Sequence, residues 1–165
     1  MNLNAEVKKQ LFKTFEILKT TLSVDQIPEI LSLTSYSVYA EFDAVKTVSS
    51  TGENEILKYF EDFVQRHNLI WVNVPVLKAA AHSFSDILRS LITFYGECTS
   101  TDEFGRQIVG LLQEWVGLNP SSLGSFYSSS ESVIALFQAL IGDCSDAVLY
   151  DGACGIGMIA NRLNP

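Results

Sequence analysis

Apolar side chains recur every three or four positions along most of the chain before residue 118, the spacing that places them on one face of an α-helix. The first such stretch, residues 5–22, predicts a surface helix with its lysines opposite the apolar face. That face is expected to contain Leu11, Phe12, Phe15, Ile17 and Leu18. Ser23 and Gln26 then form a capping-box pattern, which predicts a second helix with Pro28 in its first turns.

The middle of the chain alternates between clear and ambiguous patterns. The second helix is expected to bury Ile27, Ile30, Leu31 and Val38. Residues 36–48 fit a helix or a strand, so their type stays open. A polar stretch, residues 47–54, predicts a loop, and residues 55–67 predict a helix. Residues 69–74 fit a short strand or an extended packing segment.

The longest apolar stripe follows Pro75 and predicts one helix over residues 76–95. Its apolar face comprises Leu77, Ala80, Ala81, Phe84, Leu88, Leu91 and Ile92. A further helix is predicted to begin after Thr101 as its N-cap and to end at Gly117 as its C-cap. Together these stripes predict a helical bundle with an apolar core.

Composition places the chain among globular proteins, because 47% of its 165 residues are hydrophobic and 18% are charged. Trp71 and Trp115 are predicted to anchor the core or its edge. No apolar run is long enough for a membrane span, and the amino terminus lacks the apolar region of a signal peptide. These features predict a cytoplasmic protein without a membrane partner.

The charge balance bears on nucleic-acid binding. The formal net charge is -8, with 19 acidic against 11 basic residues. Because affinity for phosphate depends on lysine and arginine contacts, this chain is not expected to grip DNA by itself. The nearest approach to a basic stripe, formed by Lys8, Lys9, Lys13 and Lys19, is interpreted as the solvated face of the first helix.

The cysteines and histidines suggest no metal or redox centre. Cys98, Cys144 and Cys154 are widely separated and odd in number, which predicts free thiols. No neighbour of Cys154 would activate a thiolate, so a packing role is the preferred interpretation over a catalytic one. His67 and His82 are expected on helix surfaces or at helix ends.

A glycine-spaced turn near the end of the chain is the main candidate for chemistry. It follows an apolar strand pattern, and together the two read Val148, Leu149, Tyr150, Asp151, Gly152, Ala153, Cys154, Gly155, Ile156 and Gly157. Such a turn lets backbone amides approach a ligand closely, and Asp151 can accept a hydrogen bond at the end of the strand. The same glycines also fit an ordinary strand end or helix cap, so the turn alone leaves both interpretations open.

This turn resembles motif I of the adenine-specific DNA methyltransferases, whose usual form is Asp-Pro-Ala-Cys-Gly-Ser/Thr-Gly. Gly152 stands in place of the proline and Ile156 in place of the hydroxyl residue. Residues 124–129, Gly-Ser-Phe-Tyr-Ser-Ser, are similar to the family's Gly-x-Phe-Tyr-Thr-Pro segment. Residues 102–112 are similar to the Asp-x-x-Gly-x-x-Tyr-Glu-x-x-Leu helix that closes the helical domain of type I modification subunits. The three segments occur in the family's order, and the resemblance covers about residues 76–165.

The resemblance implies a mainly α fold: a helical bundle followed by the first helix, strand and turn of a Rossmann-like α/β methyltransferase domain. On this interpretation residues 1–118 are the helical domain and residues 126–165 the incomplete start of the S-adenosylmethionine-binding domain. Residues 119–125, where proline, glycine and serine concentrate, form the linker between them.

The resemblance also implies a cofactor, S-adenosyl-L-methionine. The residues expected to bind it are Phe126, Tyr127, Ser128, Asp151, Gly152, Ala153, Cys154, Gly155 and Gly157. The family's catalytic loop, Asn/Asp-Pro-Pro-Tyr/Phe, is missing, because all four prolines of the chain are isolated. The chain is therefore expected to have no catalytic residue of its own, to bind the cofactor weakly or not at all, and to be inactive by itself.

The partners implied are DNA and the specificity and restriction subunits of a restriction-modification system. Because half of a Rossmann-like unit would leave strand edges open, self-association through the carboxyl-terminal segment, with Leu149 and Tyr150 as contacts, is also expected. The alternative from another class is a non-enzymatic helical module for protein interaction, whose terminal glycines bind no ligand.

Overall fold

The computed structural model of the protein describes residues 5–118 and the single residue Ala139. Residues 5–118 form α-helices, short 3-10 helices and turns, with no β-strand among them. The mainly α fold predicted from the apolar spacing is therefore confirmed for this part of the chain. The predicted strand at residues 148–150 and the linker at residues 119–125 lie outside the described residues.

Seven α-helices follow one another in the described part of the chain. They are α1 (Ala5–Leu18), α2 (Ile27–Ala40), α3 (Phe42–Val48), α4 (Glu53–Arg66), α5 (Val74–Ala80), α6 (Phe84–Glu97) and α7 (Thr101–Leu118). Two 3-10 helices, Val24–Gln26 and Ala81–Ser83, precede α2 and α6.

Helix α6 is the centre of the bundle, since it packs against α1, α2, α3 and α4. Its buried positions recur at three- and four-residue intervals and comprise Phe84, Ile87, Leu88, Ser90, Leu91 and Phe94. The ring of Phe84 meets that of Phe60 on α4 at a centroid distance of 4.5 Å. Burial of large apolar side chains of this kind contributes about 1.5–3 kcal/mol each, which explains why the apolar spacing alone indicated the bundle.

Hydrogen bonds within the helix allow two of the hydroxyl groups of α2 to lie in the core. Thr34 donates to the carbonyl oxygen of Ile30 at 2.8 Å, and Ser37 donates to that of Thr34 at 2.8 Å. A hydroxyl bonded to its own helix can be buried without the cost of an unpaired polar group. The predicted buried residues Ile27, Ile30, Leu31 and Val38 are all at most 1% exposed.

The first helix ends earlier than predicted, at Leu18, and the chain then turns. The hydroxyls of Thr20 and Thr21 donate to the carbonyls of Ile17 and Leu18, at 2.8 and 3.3 Å, and so compete with helix continuation. Ile17 is 44% exposed, so its predicted place on the buried face is wrong.

The segment left open between helix and strand, residues 36–48, is helical. It comprises the end of α2, the residue Glu41 and all of α3. The backbone of Glu41, with φ −138° and ψ 48°, separates the two helices. Burial follows helical spacing here, because Ser37 and Val38 are both buried while Tyr36, Tyr39 and Ala40 are exposed.

Residues 69–74 form neither a strand nor a continuous extended segment, because residues 69–73 belong to the turn between α4 and α5 and Val74 begins α5. Asn68 occupies the left-handed region with φ 50°. The N–H of Leu69 donates to the carbonyl of Val64 at 3.0 Å, and that of Asn68 donates to the carbonyl of Gln65 at 3.2 Å. These two bonds make a Schellman motif, which ends α4 and turns the chain sharply. Trp71 lies on this turn and is 49% exposed, so it is not a core anchor.

The helix predicted over residues 76–95 is interrupted. The α-helical hydrogen bonding stops at Ala80, and the 3-10 helix Ala81–Ser83 precedes α6. No proline or glycine lies in the break. Instead, the buried side chains of Ala81 and Ser83 accompany packing of this segment against α1 and α4. The break therefore follows from tertiary contacts rather than from local sequence.

Helix α7 differs from its prediction at both ends. Its N-cap is Ser100, whose Oγ accepts a hydrogen bond from the N–H of Glu103 at 3.1 Å, rather than Thr101. The helix also continues through Gly117 to Leu118, so Gly117 does not end it. Trp115 is 2% exposed, as expected for a core anchor.

The chain divides into two compact units, residues 1–107 and 108–165. The described part of the first unit contains α1 to α6 and the start of α7. The described part of the second contains the rest of α7, which buries Ile108, Leu111, Leu112 and Trp115.

Candidate functional site

The residues that the sequence assigned to a cofactor site lie outside the described part of the chain. They are Phe126, Tyr127, Ser128, Asp151, Gly152, Ala153, Cys154, Gly155 and Gly157. Their assignment to S-adenosyl-L-methionine therefore remains a prediction.

Within the described residues, polar side chains converge on Glu41. Its Oε2 accepts hydrogen bonds from Nη2 of Arg66 at 2.8 Å and from the hydroxyl of Tyr59 at 3.1 Å. Its Oε1 lies 2.9 Å from Nε2 of His67. The other ring nitrogen of His67, Nδ1, lies 3.3 Å from the hydroxyl of Tyr36. We call these five residues the Glu41 cluster.

Secondary structure positions each member of the cluster. Tyr59 and Arg66 are separated by about two turns of α4, so both lie on one face of that helix. His67 follows directly as the C-cap of α4, while Tyr36 extends from α2. Glu41 occupies the corner between α2 and α3 and thus reaches all three α4 donors.

Aromatic rings complete the cluster on the side of the core. Phe63 is fully buried and lies under the ring of His67, with 4.2 Å between ring centroids. The ring of Tyr36 meets that of His67 edge-on at 5.4 Å. The guanidinium of Arg66 lies 5.8 Å from the ring centroid of Tyr59, within cation–π distance.

The electrostatics of the cluster favour an ionised Glu41. Partial burial opposes ionisation, but hydrogen bonds from His67, Arg66 and Tyr59 outweigh it and lower the pKa of the Glu41 carboxyl. For Tyr59, burial and the neighbouring Glu41 charge raise the pKa of the phenol well above its usual value. The stable state is therefore a carboxylate accepting from a neutral phenol, a guanidinium and an imidazole.

This arrangement can fix geometry and relay a proton, but its main consequence is structural. If Nε2 of His67 carries the hydrogen directed at Glu41, Nδ1 is free to accept from the Tyr36 hydroxyl. Hydroxyl, imidazole and carboxylate then form one chain from α2 through the end of α4 to the α2–α3 corner. The sequence anticipated only that His67 lies at a helix end, because its partners are distant in the chain.

The described cysteine and the acidic residues add no second chemical site. Cys98 is a free thiol, as predicted, and burial together with Glu103 and Glu97 raises its pKa. A thiol with a raised pKa is a poor nucleophile. Among residues 5–118, no group of three or more histidine, cysteine or acidic side chains is arranged to hold a metal ion.

No α-helix in the described part of the chain combines the length and the apolar character that crossing a membrane requires. No protein-family model, curated protein or solved structure matches the chain.

Proposed function

We propose that the chain is the amino-terminal part of an S-adenosylmethionine-dependent DNA adenine-N6 methyltransferase similar to type I modification subunits. The proposal depends on one observation, the order of three segments that resemble that family at residues 102–112, 124–129 and 151–157. The helical character of residues 102–112 supports it, since the family segment to which they are similar is a helix. The helical bundle before this segment also supports it.

On this proposal the described helices have a supporting role. They would pack the methyltransferase domain and contact a specificity subunit or the flank of the DNA. With a net charge of -8, the chain is suited to protein contacts more than to phosphate contacts. Phe126 and Tyr127 would lie against the cofactor, and Asp151 would accept a hydrogen bond from it.

Methyl transfer itself needs a group that orients the adenine amine and accepts its hydrogen bonds. The Asn/Asp-Pro-Pro-Tyr/Phe loop that does this in the family does not occur in these residues. We therefore propose that these residues alone do not methylate DNA and bind the cofactor weakly or not at all.

The test is methyl transfer from labelled S-adenosylmethionine to DNA by the protein that the source gene encodes, with detection of N6-methyladenine. Label should appear in adenine, and Asp151→Ala should abolish it, whereas Tyr39→Phe, far from the proposed site in sequence, should not reduce it. A gene whose reading frame holds no Asn/Asp-Pro-Pro-Tyr/Phe codons, with a product that transfers no label, would contradict the proposal. Micromolar binding of the cofactor by residues 1–165, measured by calorimetry, would contradict the expectation that these residues bind it weakly or not at all.

A second candidate, a non-enzymatic helical module for protein interaction, is favoured by a specific observation. Seven large apolar side chains are exposed among the described residues, and five of them lie on α2, on the turn that follows α4 and at the first residue of α5. Grouped exposed apolar side chains often mark a site of protein interaction, whereas scattered single ones do not.

A further inference from the structure

An exposed apolar face runs along α2 and the turn between α4 and α5. We call it the apolar face; its members are Tyr36, Tyr39, Ile70, Trp71 and Val74, which are 37%, 56%, 90%, 49% and 41% exposed. The two tyrosine rings stack with their centroids 6.4 Å apart. Single exposed apolar residues are common on proteins, but five large ones on two neighbouring segments are not.

Hydrogen bonds hold the turn against α2 at both ends. At one end, the hydroxyl of Tyr36 meets His67 at 3.3 Å. At the other, the N–H of Asn73 donates to Oε1 of Glu29 at 2.6 Å. The turn therefore runs beside α2 in the opposite direction, with Ile70 and Trp71 between its two hydrogen-bonded ends.

The turn is also ordered within itself. The Schellman motif at Asn68 fixes the exit from α4, and the N–H of Val72 donates to the carbonyl of Leu69 at 3.1 Å. The backbone that carries Ile70 and Trp71 is thus held in place, although Ile70 is 90% and Trp71 49% exposed. A preorganised surface loses little conformational entropy when it binds.

The charges around the face indicate what can approach it. Residues 30–40 and residues 68–77 contain no charged side chain, although 18% of the chain is charged. Two copies of the chain, each with a net charge of -8, repel one another over most of their surfaces. The apolar face is where that repulsion is least.

The ends of the face differ in charge. One end has the carboxylate of Glu29, and the other has Arg66 and His67 beside Glu41. If two faces meet about a two-fold axis with their α2 helices antiparallel, Glu29 of each copy approaches the Arg66 end of the other. An isologous contact of this kind is self-complementary.

The area of the face suits a weak dimer. Aromatic side chains bury about 150–250 Å² each when fully covered, so the exposed parts of these five side chains amount to an area on the order of 500 Å². Two faces would then bury on the order of 1,000 Å² in total, which is the lower limit for a specific interface. We propose that the apolar face is the contact surface of a reversible homodimer, a role independent of the proposed methyltransferase function.

Sedimentation velocity on the full chain, over a concentration series from about 5 to 500 μM, tests the proposal in the range where interfaces of this size dissociate. The sedimentation coefficient of the wild type should rise with concentration. Ile70→Asp places two added carboxylates near each other in the contact and should raise the dissociation constant about tenfold or more. Tyr39→Asp, on the other segment of the face, brings a carboxylate toward Glu29 of the other copy and should have the same effect.

Ile17→Asp is the matched control, because Ile17 is also exposed but lies on α1. It should leave the dissociation constant unchanged within about twofold, since its charge enters no contact. Circular dichroism should show each variant folded, as expected for substitutions at exposed positions. The proposal would be overturned by a wild type that stays monomeric throughout the series. It would also be overturned if both face variants associated as strongly as the wild type, or if Ile17→Asp weakened association as much as the face variants do. Association that persists in both face variants would place the contact elsewhere, for example in the carboxyl-terminal segment.

Discussion

Nε2 of His67 lies 2.9 Å from Oε1 of Glu41, joining the end of α4 to the corner between α2 and α3. The carboxylate also accepts from Tyr59 and Arg66, so one side chain connects with two residues of α4 and with its C-cap. Three hydrogen-bonding partners thus converge on the one carboxylate at the corner between α2 and α3. Loss of the Glu41 carboxylate should therefore affect stability more than loss of an ordinary surface charge.

Glu41→Ala is predicted to lower the free energy of unfolding by about 1–3 kcal/mol, because Tyr59 and His67, both partly buried, and the exposed Arg66 lose their acceptor. Urea denaturation of wild type and variant measures the difference. Asp62→Ala, at an exposed position of α4, is the control and should change stability by less than about 0.5 kcal/mol. A Glu41→Ala variant as stable as Asp62→Ala would show that the cluster is energetically neutral.

The same carboxylate predicts a pH dependence. Since the folded protein lowers the pKa of Glu41 below its unfolded value, its contribution is fully present above the unfolded pKa and is lost as the pH falls through the folded pKa. The stability difference between wild type and Glu41→Gln should therefore be constant near neutral pH and shrink in acid below about pH 4. A difference that is unchanged in acid would mean that ionisation of Glu41 is not what stabilises the corner.

Tyr59 should ionise at a higher pH than an unperturbed tyrosine. Burial and the Glu41 charge raise its pKa, so its contribution to stability is complete below the unfolded pKa and is lost as the pH rises above about 10. Absorbance titration near the phenolate band should show a late ionisation step, or one that occurs only on unfolding. Tyr59→Phe should remove that step, whereas Tyr39→Phe, the control at an exposed position, should leave it in place.

Helices could be predicted from sequence where apolar spacing alone decides burial. The stripe of α4 is an example, with Ile56, Phe60 and Phe63 all at most 1% exposed. Ile17 and Leu18 show the limit of the method: both are apolar and adjacent, yet one is 44% exposed and the other fully buried. Leu18 continues the buried face of Leu11 and Phe15, whereas Ile17 lies about 100° away from it around the same helix.

The Glu41 cluster could not be predicted, because its hydrogen-bonded partners are 18 to 31 residues apart in the sequence. They meet only when α2 and α4 pack together. The N-cap of α7 was ambiguous in the sequence for a different reason, because two short polar side chains stand next to each other at the start of that helix. Ser100 and Thr101 are both acceptable N-caps, and only the backbone geometry selects one of them. The predicted cofactor residues belong to two motifs, at residues 124–129 and 151–157, that lie outside the described part of the chain.

Ser100→Ala is predicted to destabilise the protein by about 1 kcal/mol, because the N–H of Glu103 loses its acceptor at the start of α7. Thr101→Ala should change stability by less than about 0.5 kcal/mol, since Thr101 is the first residue of the helix and not its cap. Thermal unfolding of the two single variants compares them directly. The reverse order of stability would restore Thr101 as the cap.

The left-handed backbone of Asn68 predicts an inverted preference between glycine and alanine. With φ 50° at this position, Asn68→Gly should be more stable than Asn68→Ala by about 1 kcal/mol, because a Cβ atom is unfavourable in that region. Lys58, at an exposed interior position of the same helix, is the matched control. There, alanine should be the more stable of the two by about 1 kcal/mol, since glycine weakens a helix interior. Chemical denaturation of the four variants measures both differences, and equal signs at the two positions would contradict a Schellman turn at the end of α4. Because that turn positions Ile70 and Trp71, Asn68→Ala should also weaken any self-association through the apolar face.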